Sequence, residues 1–377
     1  MKEMTQTDIE AWATDSTGPA ALHLKQKLTS VECITADDPC IIYPPTYADI
    51  GYNIDTIAGG KQVALVDSVG SQANRMEPTF ICAGDDQCEP LVPQIKVRIN
   101  QDTIVSLLEL AHRGADAVVR SSGELAEKVD AAFQELRKTG NAGPLGKLAP
   151  TSLLFGVWDS RGSNEKLPRL VRSIIRAWDV DILHAAAQYN SVWKALDEEQ
   201  RKSLQTEAKK QKKKLSEKGF ADAPSIFRDA KVRNFVEDMP NPAARILGGV
   251  LVHGDIVRDT TINLVALRGL NAGEEKETKI LRTYLLGLAL KAATAEFDLF
   301  LREGCNLRLK DEGKWHVVHR KGDPEPVSID PAIIDSVTKA TASHFRSKWP
   351  EKTEYTFDVA AAKKLLAAKE ADDQPVE

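Results

Sequence analysis

Two short stretches of the chain gather groups suited to holding an anion. Ser68, Ser71, Gln72, Asn74 and Arg75 follow an apolar run, Gln62–Asp67. If that run is a strand and the next residues a helix, these donors sit at a helix N-terminus, where free backbone N–H groups favour a phosphate. Ordinary capping explains one or two of them, less easily all five. Between Trp158 and Arg176 there are five basic and two acidic residues, a local charge of +3. Arg161, Lys166, Arg169 and Arg172 lie in this window; an arginine fork fits phosphate oxygens, and Trp158 and Trp178 offer faces for stacking. A salt-bridged surface strand with Trp158 in the core is the competing reading. Residues 199–218 hold eight basic and three acidic side chains, a local +5. Lys209, Lys210, Lys212, Lys213 and Lys214 repel one another unless anions are near, so a phosphate partner competes with a plain solvated helix.

Other chemistry fails on spacing. Gly140–Lys147 resembles a phosphate-binding loop, but its first glycine comes one position too early, and Leu148 stands where a magnesium-binding hydroxyl belongs. His316 and His319 are three apart on a predicted strand, so they point to opposite faces. Cys33/Cys40 and Cys82/Cys88 lack the tight spacing of a zinc knuckle. Asp159 is a loop carboxylate without visible partners, and reads as a turn-former before it reads as a nuclease ligand. Neither a catalytic centre nor a cofactor or metal site is expected.

The elements that must position these groups come from length and pattern. The chain has 377 residues, 42% of them hydrophobic, and a formal charge of −5. That length buries a sizeable core and excludes a globally basic nucleic-acid binder, though not a locally basic one. No run approaches the ~18 apolar residues of a membrane span. Five cysteines, few and odd in number, favour a reducing, cytoplasmic setting.

Residues 1–20 read as irregular and Ala21–Leu28 as a short helix. Gln62–Ser68, Gln94–Ile99, Ala117–Arg120, Thr151–Trp158, Leu167–Trp178, Ile246–Val252 and Ile256–Leu267 read as strands. Helices are predicted at Ser71–Phe80, Thr103–His112 (capped by Asp102), Leu125–Lys138, Trp193–Lys218, Glu274–Leu301, Pro331–Ala342 and Asp358–Lys369. Asn306–Lys310 and Trp315–His319 predict a hairpin. The mixture lacks βαβ alternation, so the fold class expected is α+β with an antiparallel sheet. One elaborated core over 1–377 is expected, with a basic helical insertion at 181–245 and a disordered acidic tail at 370–377.

Several stretches carry a family resemblance. Asp67–Glu77 reads DSVGSQANRME. Leu153–Gly162 reads LLFGVWDSRG, followed by Lys166, Pro168, Arg169 and Ser173. Gly248–Arg258 reads GGVLVHGDIVR and runs into TINLVALR at Thr261–Arg268. HRGADA at His112–Ala117 fits as well. Together, over about residues 60 to 310, they resemble the backbone subunit of the type I-U (I-G) CRISPR effector complex, of the RAMP superfamily.

The resemblance implies an RRM-like, ferredoxin-like palm with helical insertions and a thumb hairpin. It implies a non-catalytic subunit that stacks on copies of itself along a guide RNA, grips the phosphate backbone without reading sequence, and presents the bases to target DNA. Further partners would be a large subunit and a guide-processing subunit, with no membrane. The RNA-binding candidates it marks are Arg161, Lys166, Arg169 and Arg172 first, then Ser71, Gln72, Asn74 and Arg75. His112, Arg113, Arg258 and Trp158 follow. The alternative within the superfamily is a metal-dependent RNA nuclease using Asp159.

Overall fold

Ala21–Ser30 sets the architecture. Leu22, Leu24, Gln26, Leu28 and Ser30 are buried, while Lys25 and Lys27 between them are exposed. That period of two is a strand, not the expected helix. The chain is described here by a computed structural model covering residues 2–47, 50–82, 88–160, 162–184, 192–213, 215, 220 and 247–372. Arg161, Lys214, most of the expected insertion at 181–245 and the end of the expected tail lie outside the described residues.

The main sheet has ten strands. In chain order they are β1 (Lys2–Glu3), β2 (Ala21–Ser30), β3 (Ile54–Thr56), β4 (Gln62–Asp67), β5 (Val171–Trp178), β6 (Ile256–Asn263), β7 (Leu299–Arg302), β8 (Cys305–Leu309), β9 (Lys314–Val318) and β10 (Glu325–Ser328). The spatial order is β1-β10-β9-β2-β6-β5-β4-β3, with β8 also on β2 and β7 on β8. Within it β9, β2, β6 and β5 are mutually antiparallel neighbours. A long helix, Glu275–Thr294, lies in the crossover from β6 to β9, followed there by β7 and β8. This is the split βαβ order of a ferredoxin-like palm, and the fold is α+β as expected.

Helices cover the inner face: α1 (Gln6–Thr14), α2 (Val69–Met76), α3 (Gly123–Thr139), α4 (Gly143–Leu148), α5 (Pro150–Phe155), α6 (Glu275–Thr294) and α7 (Pro331–Arg346). Helix α6 is buried along most of its length, from Leu281 through Ala293, as befits a central helix. It shares one apolar core with Leu22, Leu24, Val171, Ile262 and Trp315 of the sheet. A second core joins Leu28, Ile175, Ala177 and Ile256 to Ile42 and Val250 of a small separate sheet. Among the described residues no helix is long and apolar enough to cross a membrane.

Several expected elements change type. The N-terminus forms α1, opened by a Thr5–Asp8 capping box. Pro150 starts α5, so the apolar run at 151–155 is a fully buried helix, which periodicity cannot tell from a buried strand. Asp116 caps a helical turn at Ala117–Arg120 in place of a strand. Ile104–Ser106 is a strand, where a helix was expected; its β-branched residues suit the sheet. Strand β6 stops at Asn263, which caps the helix Leu264–Gly269. The long helix ends at Thr294, before β7.

The expected hairpin is absent. β8 pairs with Leu28–Ser30 and β9 with Ala21–Lys25, end to end along one edge of β2. Gly313 (φ +81°) lies at the break, where an added Cβ would come 2.6 Å from Gln26 Cγ. Cys82 and Cys88 form a disulfide that their spacing did not suggest, and Cys33, Cys40 and Cys305 are free.

Candidate nucleic-acid interface

Strand β4 ends at Asp67, and the Ser68 side chain caps α2 by accepting from the Ser71 backbone N–H (3.2 Å). Gln72, one turn on, is fully buried. Its Nε2 donates to Asp67 Oδ2 (2.6 Å); its Oε1 accepts from Ser173 Oγ (2.9 Å) and Arg258 Nε (3.0 Å). The Ser173 and Thr260 hydroxyls are 2.8 Å apart, and Arg258 Nη1 donates to Gln26 Oε1 (3.2 Å). The Arg258 guanidinium lies 4.9 Å from the Phe297 ring centre. Burial pulls its pKa down to about 10, with Asp67 opposing. Arg75 stands 3.3 Å from Asp67 and donates to the Phe300 and Leu301 carbonyls.

These residues form a polar seam across the inner sheet face. Gln26 falls between Leu24 and Leu28, Ser173 between Val171 and Ile175, and Thr260 with Arg258 between Ile262 and Ile256. In each strand the flanking residues belong to the two different apolar cores. Burying polar groups there costs little only because most of them meet a partner, Arg258 Nη2 being an exception. Gln72 and Arg258 thus spend their hydrogen-bonding capacity largely inside the protein.

Arg113 is also buried. It sits at φ +53°, with Nε 2.7 Å from Glu77 Oε2. Its Nη1 donates to the Gly156 carbonyl and its Nη2 to Asn74 Oδ1, both at 3.3 Å. Desolvation lowers the Arg113 pKa, against the pull of Glu77. The same burial raises Glu77 to about 7 despite the neighbouring guanidinium.

Val157–Trp158 and Lys166–Leu167 form a short hairpin separate from the main sheet, with Trp158 opposite Lys166. Trp158 is 57% exposed, so it is not a core residue, and Lys166 Nζ lies 5.5 Å from its ring centre. Asp159 turns the other way and is fully buried. Its carboxylate accepts from the Ser163 N–H (2.7 Å) and Oγ (2.8 Å) and pairs with Arg120 (2.5 Å). It is the turn-forming anchor of this loop. Among the described residues, no group of three or more His, Cys, Asp or Glu is placed to hold a metal ion.

The hairpin, the start of α2 and the turn at His112 enclose a cavity of about 480 Å³. Six candidates meet on its wall: Asn74, His112, Arg113, Trp158, Lys166 and Arg169. Among the described residues no carboxylate lines it, and Arg113 is the lining cation with a buried partner. Gly156 (φ +75°) lets Arg169 approach, since an added Cβ would lie 3.0 Å from the Arg169 nitrogen. An open recess whose described wall carries ammonium and guanidinium groups and an exposed indole is suited to a phosphate and its base. Ser71, Gln72, Arg75, Arg172 and Arg258 do not line the cavity.

Arg172 instead lies exposed on the outer face of the sheet. Arg176, counted in the same basic window, shares that face, and sequence reasoning missed the rest of the company there: His23, Lys25, Lys27, Lys314 and His316. The signal was present, because basic residues at every second position of 23–27 mark one face of a strand.

Residues 36–182 match the model of a family described as CRISPR-associated protein GSU0053. The comparison with curated proteins finds no match. The matched span contains every residue of the cavity wall. Over residues 36–182 the chain is thus similar to a CRISPR-associated family, which agrees with the CRISPR resemblance of the motifs at Asp67–Glu77 and Leu153–Gly162 and leaves the subtype open.

Proposed function

We propose that the chain is a non-catalytic backbone subunit of a CRISPR effector complex of the I-G type. It stacks with copies of itself along a guide RNA and holds the RNA by its phosphates. Base pairing with target DNA is left to the guide. The observation that carries this reading is the cavity. Lys166, Arg169, His112 and Asn74 converge beside an exposed tryptophan, with no acid on the described wall, inside the segment that matches the CRISPR-associated family.

The rest of the reading follows from chemistry. Phosphate contacts give sequence-tolerant affinity that falls with salt. A formal charge of −5 leaves the exterior soluble while local patches bind the strand. The large subunit and the guide-processing subunit are the further partners in this reading, and the cytoplasm is its setting. The nuclease alternative draws no support from Asp159, whose carboxylate is occupied by Arg120 and Ser163.

Purification of the full chain from a host expressing the guide tests the proposal. The expected result is an assembly larger than one chain, carrying RNA of defined length that stays intact with magnesium. A nucleic-acid-free single chain that ignores added RNA at low salt would overturn it, and magnesium-dependent cutting would overturn its non-catalytic part.

A further inference from the structure

The outer face of β9, β2, β6 and β5 carries cations in rows. Lys314 lies directly opposite Lys25, and His316 directly opposite His23. Across β6, Arg172 shares a row with Thr261 and His23, and Arg176 shares one with Val257 and Lys27. Carboxylates answer them in part, and Asp259 stands directly opposite Lys25 across the β2–β6 pair. Asp259 stands 3.3 Å from His23, and Asp255 stands 2.6 Å from Lys27. Among the described residues Lys25, Lys314, Arg172 and Arg176 form no salt bridge.

Like charges directly opposite on paired strands destabilise a sheet. Lys314 facing Lys25 therefore works against what Lys25 gains from Asp259 on its other side, and an anion bound between the two lysines removes that repulsion. Beneath the charged heads lie Ile174 and Val257, buried yet part of neither apolar core. Long side chains with aliphatic stems suit the positions around them. Alternate residues on a strand are ~6.8 Å apart and neighbouring strands ~4.8 Å, so the charges form a grid. A grid suits a ligand with repeated charge better than a lone phosphate. At the end of β5, two residues past Arg176, Trp178 is 37% exposed and offers a ring for a base. An acidic protein partner would need apolar anchors near the centre, and among the described residues this face exposes no other large hydrophobic side chain.

We propose that this sheet face is a second nucleic-acid surface, separate from the cavity, that takes a single strand by its sugar-phosphate backbone. It rests on the proposed function only in taking the ligand to be a nucleic acid. RNA and DNA share the chemistry, so both are probed.

The test compares the full chain with Lys25→Ala/Lys314→Ala, Lys25→Arg/Lys314→Arg and Lys166→Ala/Arg169→Ala. Fluorescence anisotropy follows labelled polyuridine and polythymidine across a salt series, with melting temperatures measured alongside. The Lys25→Ala/Lys314→Ala variant is expected to melt no lower than the parent, since the lost Lys25–Lys314 repulsion offsets the lost attraction of Lys25 to Asp259. It is expected to bind one or both strands about tenfold more weakly, with a log–log salt slope smaller by ~1.4, two contacts at ~0.7 each. The double arginine variant restores binding. The strand that loses more affinity identifies the ligand as RNA or DNA. Unchanged affinity and slope for both strands would overturn the proposal, and so would a loss of binding accompanied by a lower melting temperature. If only Lys166→Ala/Arg169→Ala weakens RNA binding, the sheet-face proposal falls and the cavity reading stands. If neither set changes binding, both fall.

Discussion

The polar seam and the cavity draw on the same short motifs and end in opposite environments. Asp67 and Gln72 lie sealed between two apolar cores, with Ser173 and Arg258, and each hydrogen bond is made within the chain. Asn74, two residues further on, is exposed at the mouth of the cavity, where Lys166 and Arg169 have no carboxylate on the described part of the shared wall. In the seam, polar groups fix how α2 sits on β5 and β6. In the cavity, they remain free for a ligand. Arg113 joins the two regimes: its Nε is paired to buried Glu77, while its Nη2 steadies the Asn74 side chain. A motif residue therefore need not touch the ligand to matter for it.

The contrast predicts two kinds of variant. The largest effect is expected at Asp159, whose loss leaves Arg120 buried with one fewer anion. Asp159→Ala should lower stability by roughly 3–5 kcal/mol in urea unfolding. A neutral outcome would mean that the loop carboxylate is not structural. Next is Gln72→Ala, which strips partners from Asp67, Ser173 and Arg258. A loss of about 3 kcal/mol is expected, from the cost of unsatisfied buried groups. A stable Gln72→Ala protein that binds RNA poorly would instead move Gln72 to the ligand side of the comparison.

A smaller effect depends on pH. The folded protein raises Glu77 from its ordinary 4.5 to about 7. Between these values the folded state holds a proton that the unfolded state has released, so stability falls as pH rises through this window. Urea midpoints should show that fall in the parent, and Glu77→Gln should flatten it. An identical pH profile in both would mean that Arg113 keeps Glu77 ionised throughout.

Much of the palm was legible because half-buried strands announce themselves. Gln62–Ser68 was expected as a strand and forms one over Gln62–Asp67, Leu167–Trp178 holds a strand from Val171 with Leu167 in the separate hairpin, and Leu125–Lys138 is helical as its stripe indicated. The misreadings have physical causes. In 21–28 the lysines looked like a helix surface, but they are the outward side of a two-residue period. Leu153–Phe155 is buried all round and carries no periodic signal. The two segments at 305–318 look like a hairpin locally, and only β2, nearly three hundred residues away in sequence, shows that both pair with it instead. For the site, sequence supplied the donor types. It did not show which donors the fold consumes, because that depends on Ser173, Thr260 and Gln26 arriving from distant strands.

The salt dependence of RNA binding by the parent and by Lys166→Ala/Arg169→Ala tests the account most directly. Both side chains are exposed, so stability should change by no more than about 0.5 kcal/mol. The account predicts weaker binding and a log–log salt slope reduced by ~1.4, the loss of two phosphate contacts. Equal affinity and equal slope in the two proteins would contradict it.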